Sequence, residues 1–139
     1  MTGGAGFIGS HLVDRLLADG DEVIVLDDFS TGRIENLAHC EKGCRLQIHR
    51  VNVSQHDRIR EHFVDVDRVF HLAALADIVP SIQRPLEYLR AGVDGTISVL
   101  EAARTAGVGR FLYAASSSCY AIPDRFPTPE TTTADPQYP

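Results

Sequence analysis

The sequence contains no tryptophan, one methionine and only three cysteines in 139 residues. Any pairing of three cysteines leaves one over, and such sparse use of cysteine is typical of a reducing compartment, so we predict a cytoplasmic protein. Cys40 and Cys44 lie near His39 and His49, but the second ligand pair of a structural zinc site is missing. We therefore interpret these thiols as ordinary side chains of a polar loop and predict no metal site.

An excess of basic residues is also missing. The chain has 13 lysines and arginines but 19 acidic residues, which gives a net charge of −6, and no basic run stands out. Such a chain has no electrostatic reason to bind nucleic acid or an anionic membrane. No apolar run approaches the roughly 18–20 residues that span a bilayer, and residues 1–6 do not resemble a signal peptide. We expect neither nucleic acid nor a membrane as a partner.

Hydrophobic residues make up 44% and charged residues 23% of the chain, as in a folded single domain. Apolar periodicity predicts helices over residues 10–19, 56–63 and 86–106, and strands over residues 23–26, 45–53, 68–74 and 110–115. The predicted core faces are Ile8, Leu12 and Leu16 in the first helix, and Val93, Ile97 and Leu100 in the last. Alternating strands and helices predict an α/β fold with a parallel sheet, followed by a proline-rich tail over residues 123–139.

Three glycines, Gly3, Gly6 and Gly9, form a G-x-x-G-x-x-G turn that leads into the first predicted helix. Glycine suits a backbone that bends sharply and approaches a pyrophosphate, which the N–H groups of the helix start then bind. The same pattern also suits any tight turn. The glycines alone therefore leave the two interpretations open.

Asp27 stands at the end of the next apolar strand, 18 residues after Gly9. A carboxylate at that position can accept hydrogen bonds from both hydroxyls of an adenosine ribose, and it repels a 2′-phosphate. The alternative is a solvated acid at a strand end. Turn, helix, strand and acid in this order predict a dinucleotide site that prefers NAD to NADP.

Five short motifs in chain order resemble those of the extended short-chain dehydrogenase/reductases, and within them the NAD-dependent epimerase/dehydratase family of nucleotide-sugar enzymes. They occupy residues 2–12 (TGGAGFIGSHL), 25–32 (VLDDFSTG), 71–74 (HLAA), 93–96 (VDGT) and 116–120 (SSSCY). The resemblance implies a Rossmann-type doubly wound parallel sheet, NAD as cofactor and a nucleotide sugar, most simply a UDP-hexose, as substrate. It also implies that the full-length protein is a homodimer.

The resemblance assigns the residues of the cofactor site. It implies that the backbone amides of Phe7 and Ile8 contact the pyrophosphate and that Asp27 holds the ribose. Contacts on the adenine side and along the third strand's end are implied for Asp28, Phe29, Ser30, Thr31, Gly32, Asn52, Val53, Leu72, Ala73, Ala74 and Ala76. Asn52 replaces the family's usual Asp, although its carbonyl oxygen can still accept from the adenine amino group. Residues 72–74 are equally suited to core packing.

Ser116 is the catalytic residue that the resemblance implies, because a Ser or Thr there hydrogen-bonds the sugar's 4-hydroxyl and a catalytic tyrosine. The alternative is a polar serine-rich loop. Its neighbours Ser117 and Ser118 replace the Asp-Glu pair of the 4,6-dehydratases, and serine cannot supply their acid–base chemistry near neutral pH. This favours a 4-epimerase, in which a hydride leaves sugar C4 and returns to it. A 4,6-dehydratase and a non-catalytic dinucleotide-binding module remain the alternatives.

The chain departs from the family pattern at several positions. Lys42 is the only lysine, so no Tyr-x-x-x-Lys base motif is present. Only Met1 and Thr2 precede Gly3, where relatives carry a first strand. We expect residues 1–139 to be the N-terminal part of a Rossmann domain, with the first strand largely missing, no substrate domain and no activity alone. Gly92 and Ala121 replace the usual Asn and Gly.

Overall fold

A computed structural model describes residues 1–40 and 45–136 of the chain. Lys42, Cys44 and Tyr138 lie outside the described residues. The helices are α1 (Phe7–Ala18), α2 (His56–Ile59), α3 (Ile78–Gln83), α4 (Pro85–Leu89) and α5 (Gly95–Thr105). The strands are β1 (Val23–Asp27), β2 (Leu46–Arg50), β3 (Arg68–His71) and β4 (Arg110–Tyr113). Short 3₁₀ helices cover Ile34–Leu37, Arg60–Phe63 and Ser117–Tyr120, and a π-helical turn covers Arg90–Asp94.

The sheet consists of two parallel pairs joined by one residue. β1 pairs with β2, and β3 pairs with β4. Thr2 lies between the pairs and forms parallel bridges with Leu26 and His71. The spatial order is therefore β2, β1, Thr2, β3, β4, and the expected parallel sheet with a much reduced first strand is confirmed.

Helices cover both faces of the sheet. Val23 and Val25 of β1 pack with Val13 of α1 and with Leu37. Leu26 points to the opposite face, where it packs with Ile59, Val99 and other residues of α2 and α5. A strand buried on both faces needs apolar residues at successive positions, which explains the unbroken run over residues 23–26.

The two long helices are rotated away from the orientation that periodicity predicts. α1 buries Gly9, Ser10 and Val13, while Leu16 of the predicted face packs against the core partly buried and Ile8 is exposed. α5 buries Gly95, Ser98, Val99, Ala102 and Ala103, whereas Val93, Ile97 and Leu100 are exposed. Small side chains let a helix approach the sheet closely, so close packing decides the orientation of these helices rather than the size of the apolar residues.

The remaining element boundaries differ in detail. The predicted helix over residues 86–106 is divided into α4, the π-helical turn and α5. The sequence analysis missed α3, which has no buried residues and therefore shows no core-facing pattern. The second, third and fourth predicted strands end early, at residues 50, 71 and 113. None of the helices in the described part of the chain is long and apolar enough to cross a membrane.

Candidate functional site

Gly3 and Gly9 allow the backbone to turn tightly before α1. Gly3 has φ +68°, and a Cβ there would come within 2.7 Å of the backbone nitrogen of Ala73. A Cβ on Gly9 would collide with the carbonyl oxygen of Gly3 and lie 2.8 Å from Cα of Gly4. Both glycines are therefore required by the fold of the turn itself.

Gly6 has a different role. A Cβ there would lie 3.4 Å from the carbonyl oxygen of Gly3, so the turn alone does not exclude a side chain. Gly6 is the N-cap of α1 and supplies no side-chain cap. The first N–H groups of a helix, here including those of Phe7, Ile8 and Gly9, have no intrahelical acceptor. They form an anion-binding position, and the helix dipole adds positive potential there.

Asp27 connects this turn to the loop that follows β1. It is 7% exposed. Its Oδ2 accepts a hydrogen bond from the N–H of Ala5 at 2.9 Å, and its Oδ1 accepts one from the N–H of Phe29 at 2.9 Å. Each carboxylate oxygen has a further lone pair. The carboxylate is thus held in a fixed position beside the glycine turn and can still accept from a ligand hydroxyl.

The loop over residues 28–32 folds against the same turn. The carboxylate of Asp28 accepts from the N–H of Ser30 at 2.9 Å, and Phe29 adopts φ +61°. Thr31 is exposed. At Gly32 a Cβ would lie 3.0 Å from Oδ1 of Asp27, so glycine lets the loop approach the carboxylate. The structure brings the loop, Asp27 and the glycine turn together, as expected.

A groove of about 740 Å³ opens beside this loop. The guanidinium of Arg50 lies over the ring of Phe29, 5.7 Å from its centroid, on one wall of the groove. Arg33, Ile34 and Ile48 also line it. The groove offers apolar surface, two cationic side chains and the carboxylate of Glu35 to a ligand held by the loop.

Asn52 and Val53 do not both lie at the ligand-facing surface. The side-chain oxygen of Asn52 accepts from the N–H of Ser54 at 2.9 Å and from its hydroxyl at 2.8 Å. That oxygen is fully engaged, which leaves the amide N–H₂ of Asn52 for a ligand. Val53 is buried in the core beside α5. Its side chain therefore packs rather than binds.

The chain leaves β3 directly beside the glycine turn. The N–H of Leu72 donates to the carbonyl of Thr2 at 3.2 Å, and the N–H of Ala73 donates to the Thr2 hydroxyl at 3.3 Å. Ala73 also packs against the core. Ala74 and Ala76 are exposed along this edge. Residues 72–73 thus have both a packing role and a position next to the turn.

His71 is a buried polar residue that begins the HLAA motif but received no role in the sequence analysis. Its Nδ1 lies 2.6 Å from the Thr2 hydroxyl, and its Nε2 lies 3.0 Å from the Thr96 hydroxyl. The Thr96 hydroxyl donates to the carbonyl of Gly92, so it accepts from Nε2–H, and Nδ1 accepts from Thr2. Burial lowers the pKa of His71 to about 4, aided by the nearby N-terminal ammonium. A histidine within a buried apolar strand was the available signal.

Ser116 follows β4 at the carboxyl edge of the sheet, the edge that also carries residues 28–32 and 72–76. Its Oγ accepts from the N–H of Ser118 at 3.2 Å and donates to the Ser118 hydroxyl at 3.0 Å. The side chain is exposed, so the hydroxyl is accessible. Ala121, which ends this turn, adopts φ +54°, a conformation that favours the glycine of the family pattern.

Comparison with known proteins identifies relatives for the entire chain. Residues 1–139 match the profile of the NAD dependent epimerase/dehydratase family. The chain is 42% identical over 131 residues to UDP-glucuronic acid decarboxylase 1 of Arabidopsis thaliana, covering 94% of this chain and 29% of the relative. It is 40% identical over 143 residues to UDP-glucose 4-epimerase of Mycolicibacterium smegmatis, covering 100% of this chain and 45% of the relative.

Solved structures give the same result. The dTDP-glucose 4,6-dehydratase DesIV from Streptomyces venezuelae, solved with NAD, superposes with a TM-score of 0.91 at 33% identity, over 99% of this chain and 45% of that one. UDP-glucose 4-epimerase from Thermus thermophilus in complex with NAD gives 0.86 at 33% identity, over 99% and 44%. The chain therefore spans less than half the length of these relatives.

Proposed function

The chain belongs to the NAD-dependent epimerase/dehydratase family, whose cofactor is NAD, and we propose that it forms the cofactor-binding part of a nucleotide-sugar 4-epimerase. The observation that carries the cofactor site is the fixed carboxylate of Asp27 beside the free N–H groups of α1. Asp27 follows Gly9 by 18 residues, close to the spacing of roughly 20 residues between a pyrophosphate-binding turn and the acid that binds the ribose.

The residues present fit NAD. The turn that Gly3 and Gly9 make possible leaves the face of Gly6 open, so a pyrophosphate can approach the start of α1. Asp27 would accept from both ribose hydroxyls, and its charge would repel a 2′-phosphate. The N–H₂ of Asn52 would donate to a ring nitrogen of the adenine, a different contact from the one that the sequence implies.

Ser116 would hold the sugar at the carboxyl edge of the sheet. When bound, NAD would supply the chemistry of hydride transfer to and from sugar C4. The Ser116 hydroxyl would turn from Ser118 to the 4-hydroxyl of the sugar and orient it, since it is exposed and only locally bonded. The sequence contains no Tyr-x-x-x-Lys motif to take the proton, so that role is outside the proposal.

Ser117 and Ser118 favour epimerisation over dehydration. They occupy the positions of the Asp-Glu pair that the dehydratases use to eliminate water, and a hydroxyl is a poor acid and base near neutral pH. The second candidate is decarboxylation of a UDP-glucuronic acid, favoured by the 42% identity to the Arabidopsis thaliana relative. Against it stands Ser118, because the decarboxylases usually keep a glutamate there.

The cofactor assignment is tested by calorimetric titration of the purified chain with NAD and NADP. We expect NAD to bind more tightly. Asp27→Asn should weaken NAD binding by about 1–3 kcal/mol, or roughly 5–150-fold, because hydrogen bonds to a charged group are lost. Asp19→Asn is the matched control, since that exposed carboxylate lies at the C-terminal end of α1, at the far end of the helix from the glycine turn, and the variant should bind NAD normally. Equal affinity of the wild type for both nucleotides would refute the assignment.

The reaction is tested with two chimeras in which residues 1–139 replace the matching segment of a relative. One uses the Mycolicibacterium smegmatis epimerase and the other the Arabidopsis thaliana decarboxylase. We expect the first to retain activity and the second to lose it, with Ser118→Glu restoring the second. If the decarboxylase chimera keeps the larger share of its parent's activity without that change, decarboxylation replaces epimerisation as the proposed function.

A further inference from the structure

Three metal-ligating side chains converge on the α1 face of the molecule, apart from the cofactor site. Asp14 lies on α1, and His39 and Cys40 follow the 3₁₀ helix Ile34–Leu37. Asp14 Oδ1 lies 2.8 Å from His39 Nε2 and accepts from the Cys40 thiol at 3.2 Å. The three ligand atoms all lie within 4.8 Å of one another.

The spacing of these atoms suits a small divalent cation. Zinc bonds of about 2.0–2.3 Å in a tetrahedral site separate neighbouring ligand atoms by about 3.3–3.7 Å. The separations of Asp14 Oδ1 from His39 Nε2 and from the Cys40 sulfur are shorter than this, so rotation of the partly exposed Asp14 and His39 side chains would open the required space.

The chemistry of the donors selects the class of ion. A thiolate and an imidazole are ligands for Zn²⁺ and similar borderline-soft cations, whereas Mg²⁺ and Ca²⁺ require several oxygen ligands. Only one carboxylate is present here. The combination of Asp14, His39 and Cys40 thus favours zinc over the hard cations.

We propose that Asp14, His39 and Cys40 form a site for Zn²⁺ or a cation of the same class, which clamps α1 to the segment after the first 3₁₀ helix. On binding, the Cys40 thiol releases its proton to solvent as the sulfur–metal bond forms, and water completes the coordination. Cys44 lies outside the described residues, and the proposal rests on the other three side chains. It departs from the sequence-based expectation of no metal, because Asp14 is 25 residues from His39 and folding alone brings them together.

The arrangement gives the ion a route from solvent. The side chain of His39 is 62% exposed and that of Asp14 is 37% exposed, while Cys40 is buried beneath them. The cation would enter past His39 and bind the sulfur at the base of the site. Because α1 begins at the glycine turn, an ion here would restrain the helix that carries the cofactor's anion-binding position.

Titration of the purified 139-residue chain with Co²⁺ tests the site, because a cobalt–thiolate bond gives a charge-transfer absorption that oxygen and nitrogen ligands do not. We expect one Co²⁺ per chain, this absorption, and its loss when Zn²⁺ is added. Asp14→Asn, His39→Ala and Cys40→Ser should each lower the affinity at least about 100-fold, since even indirect changes around a metal cost about 10–100-fold.

Two matched variants control for ordinary surface binding. His11→Ala removes an exposed histidine that lies on α1 and is not part of the cluster, and Cys119→Ser removes the other free cysteine in the described residues. Both should bind Co²⁺ as the wild type does. His39 is exposed, so His39→Ala should keep the circular dichroism of the wild type. Unchanged affinity in that folded variant, or no thiolate absorption in the wild type, would reduce the cluster to a hydrogen-bonded contact and overturn the proposal.

Discussion

The two halves of the sheet, on either side of Thr2, differ in how they bury their strands. In the half formed by β1 and β2, Val23, Val25 and Leu26 are all buried, with helices on both faces. In the half formed by β3 and β4, Leu112 is 41% and Tyr113 58% exposed. The helices α3 and α4 contribute no buried residues among those described.

The comparison separates two tasks within one sheet. The half formed by β1 and β2, here called the closed half, carries the glycine turn, Asp27 and its loop. The part proposed to bind the adenosine side of the cofactor is therefore also the part with a complete core. The half formed by β3 and β4, here called the open half, carries the strand ends near Ser116. Large apolar side chains of α3, α4 and α5 are exposed there. We therefore expect the stability of the fold and its affinity for the cofactor to depend most on the closed half.

Leu37→Ala should give the largest difference between the halves. Leu37 is 1% exposed within the core that includes Val13 and Val25. Its truncation should cost about 2–5 kcal/mol, the usual cost of an emptied core site, and urea denaturation measures this. Leu112→Ala in the open half should cost less than about 1 kcal/mol, because its side chain is already partly in water. Similar losses for both variants would erase the distinction between the halves.

The fold was largely predictable from the sequence, because β1 is a short apolar run, β2 alternates apolar and polar residues, and the glycine turn marks the first helix. The orientations of α1 and α5 were not. Periodicity favours the face with the largest apolar residues, but the sheet receives Gly9, Ser10 and Val13 from α1. Close approach of a helix depends on small side chains, and their contribution is invisible to a measure that weighs hydrophobicity alone.

The site shows a similar limit. Asp27 and the glycines lie where their spacing predicts, since a turn, a helix and a strand fix their separation. The engagement of Asn52 with Ser54, and the Thr2–His71–Thr96 contacts, depend on hydrogen bonds between residues whose positions only the folded chain defines. Sequence patterns identify residues that occupy a strand end, but they do not reveal which polar atoms are already satisfied.

His71 hydrogen-bonds Thr2, the residue between the two halves, and this buried histidine should make the stability of the fold depend on pH. The folded state keeps His71 neutral, with a pKa lowered to about 4, whereas the unfolded chain has the ordinary value near 6.5. The unfolded state therefore binds more protons between these values. This residue's contribution should be constant above pH 6.5 and fall below it, by up to about 1.4 kcal/mol per pH unit. Urea denaturation at several pH values measures the slope.

His71→Gln is the control for this dependence. Glutamine can hydrogen-bond Thr2 or Thr96 but does not titrate, so the variant should be less stable at pH 7 and should show a shallower slope between pH 4 and 6.5. Protonation of the wild-type ring would place an N–H at Nδ1, so the buried Thr2 hydroxyl would lose the acceptor of its own hydrogen. Identical slopes for the two proteins would assign the pH dependence to other groups.

Gly92→Ala should give the smallest effect, and in the opposite direction. Gly92 lies in the π-helical turn of the open half, and a Cβ there would meet nothing within 4 Å. Alanine costs less backbone entropy in a helix, so the variant should be stabilised by up to about 1 kcal/mol. The bond from the Thr96 hydroxyl uses the Gly92 carbonyl and survives the change. Thermal unfolding followed by circular dichroism measures the gain. A destabilised variant would mean that the open half is closely packed at this position.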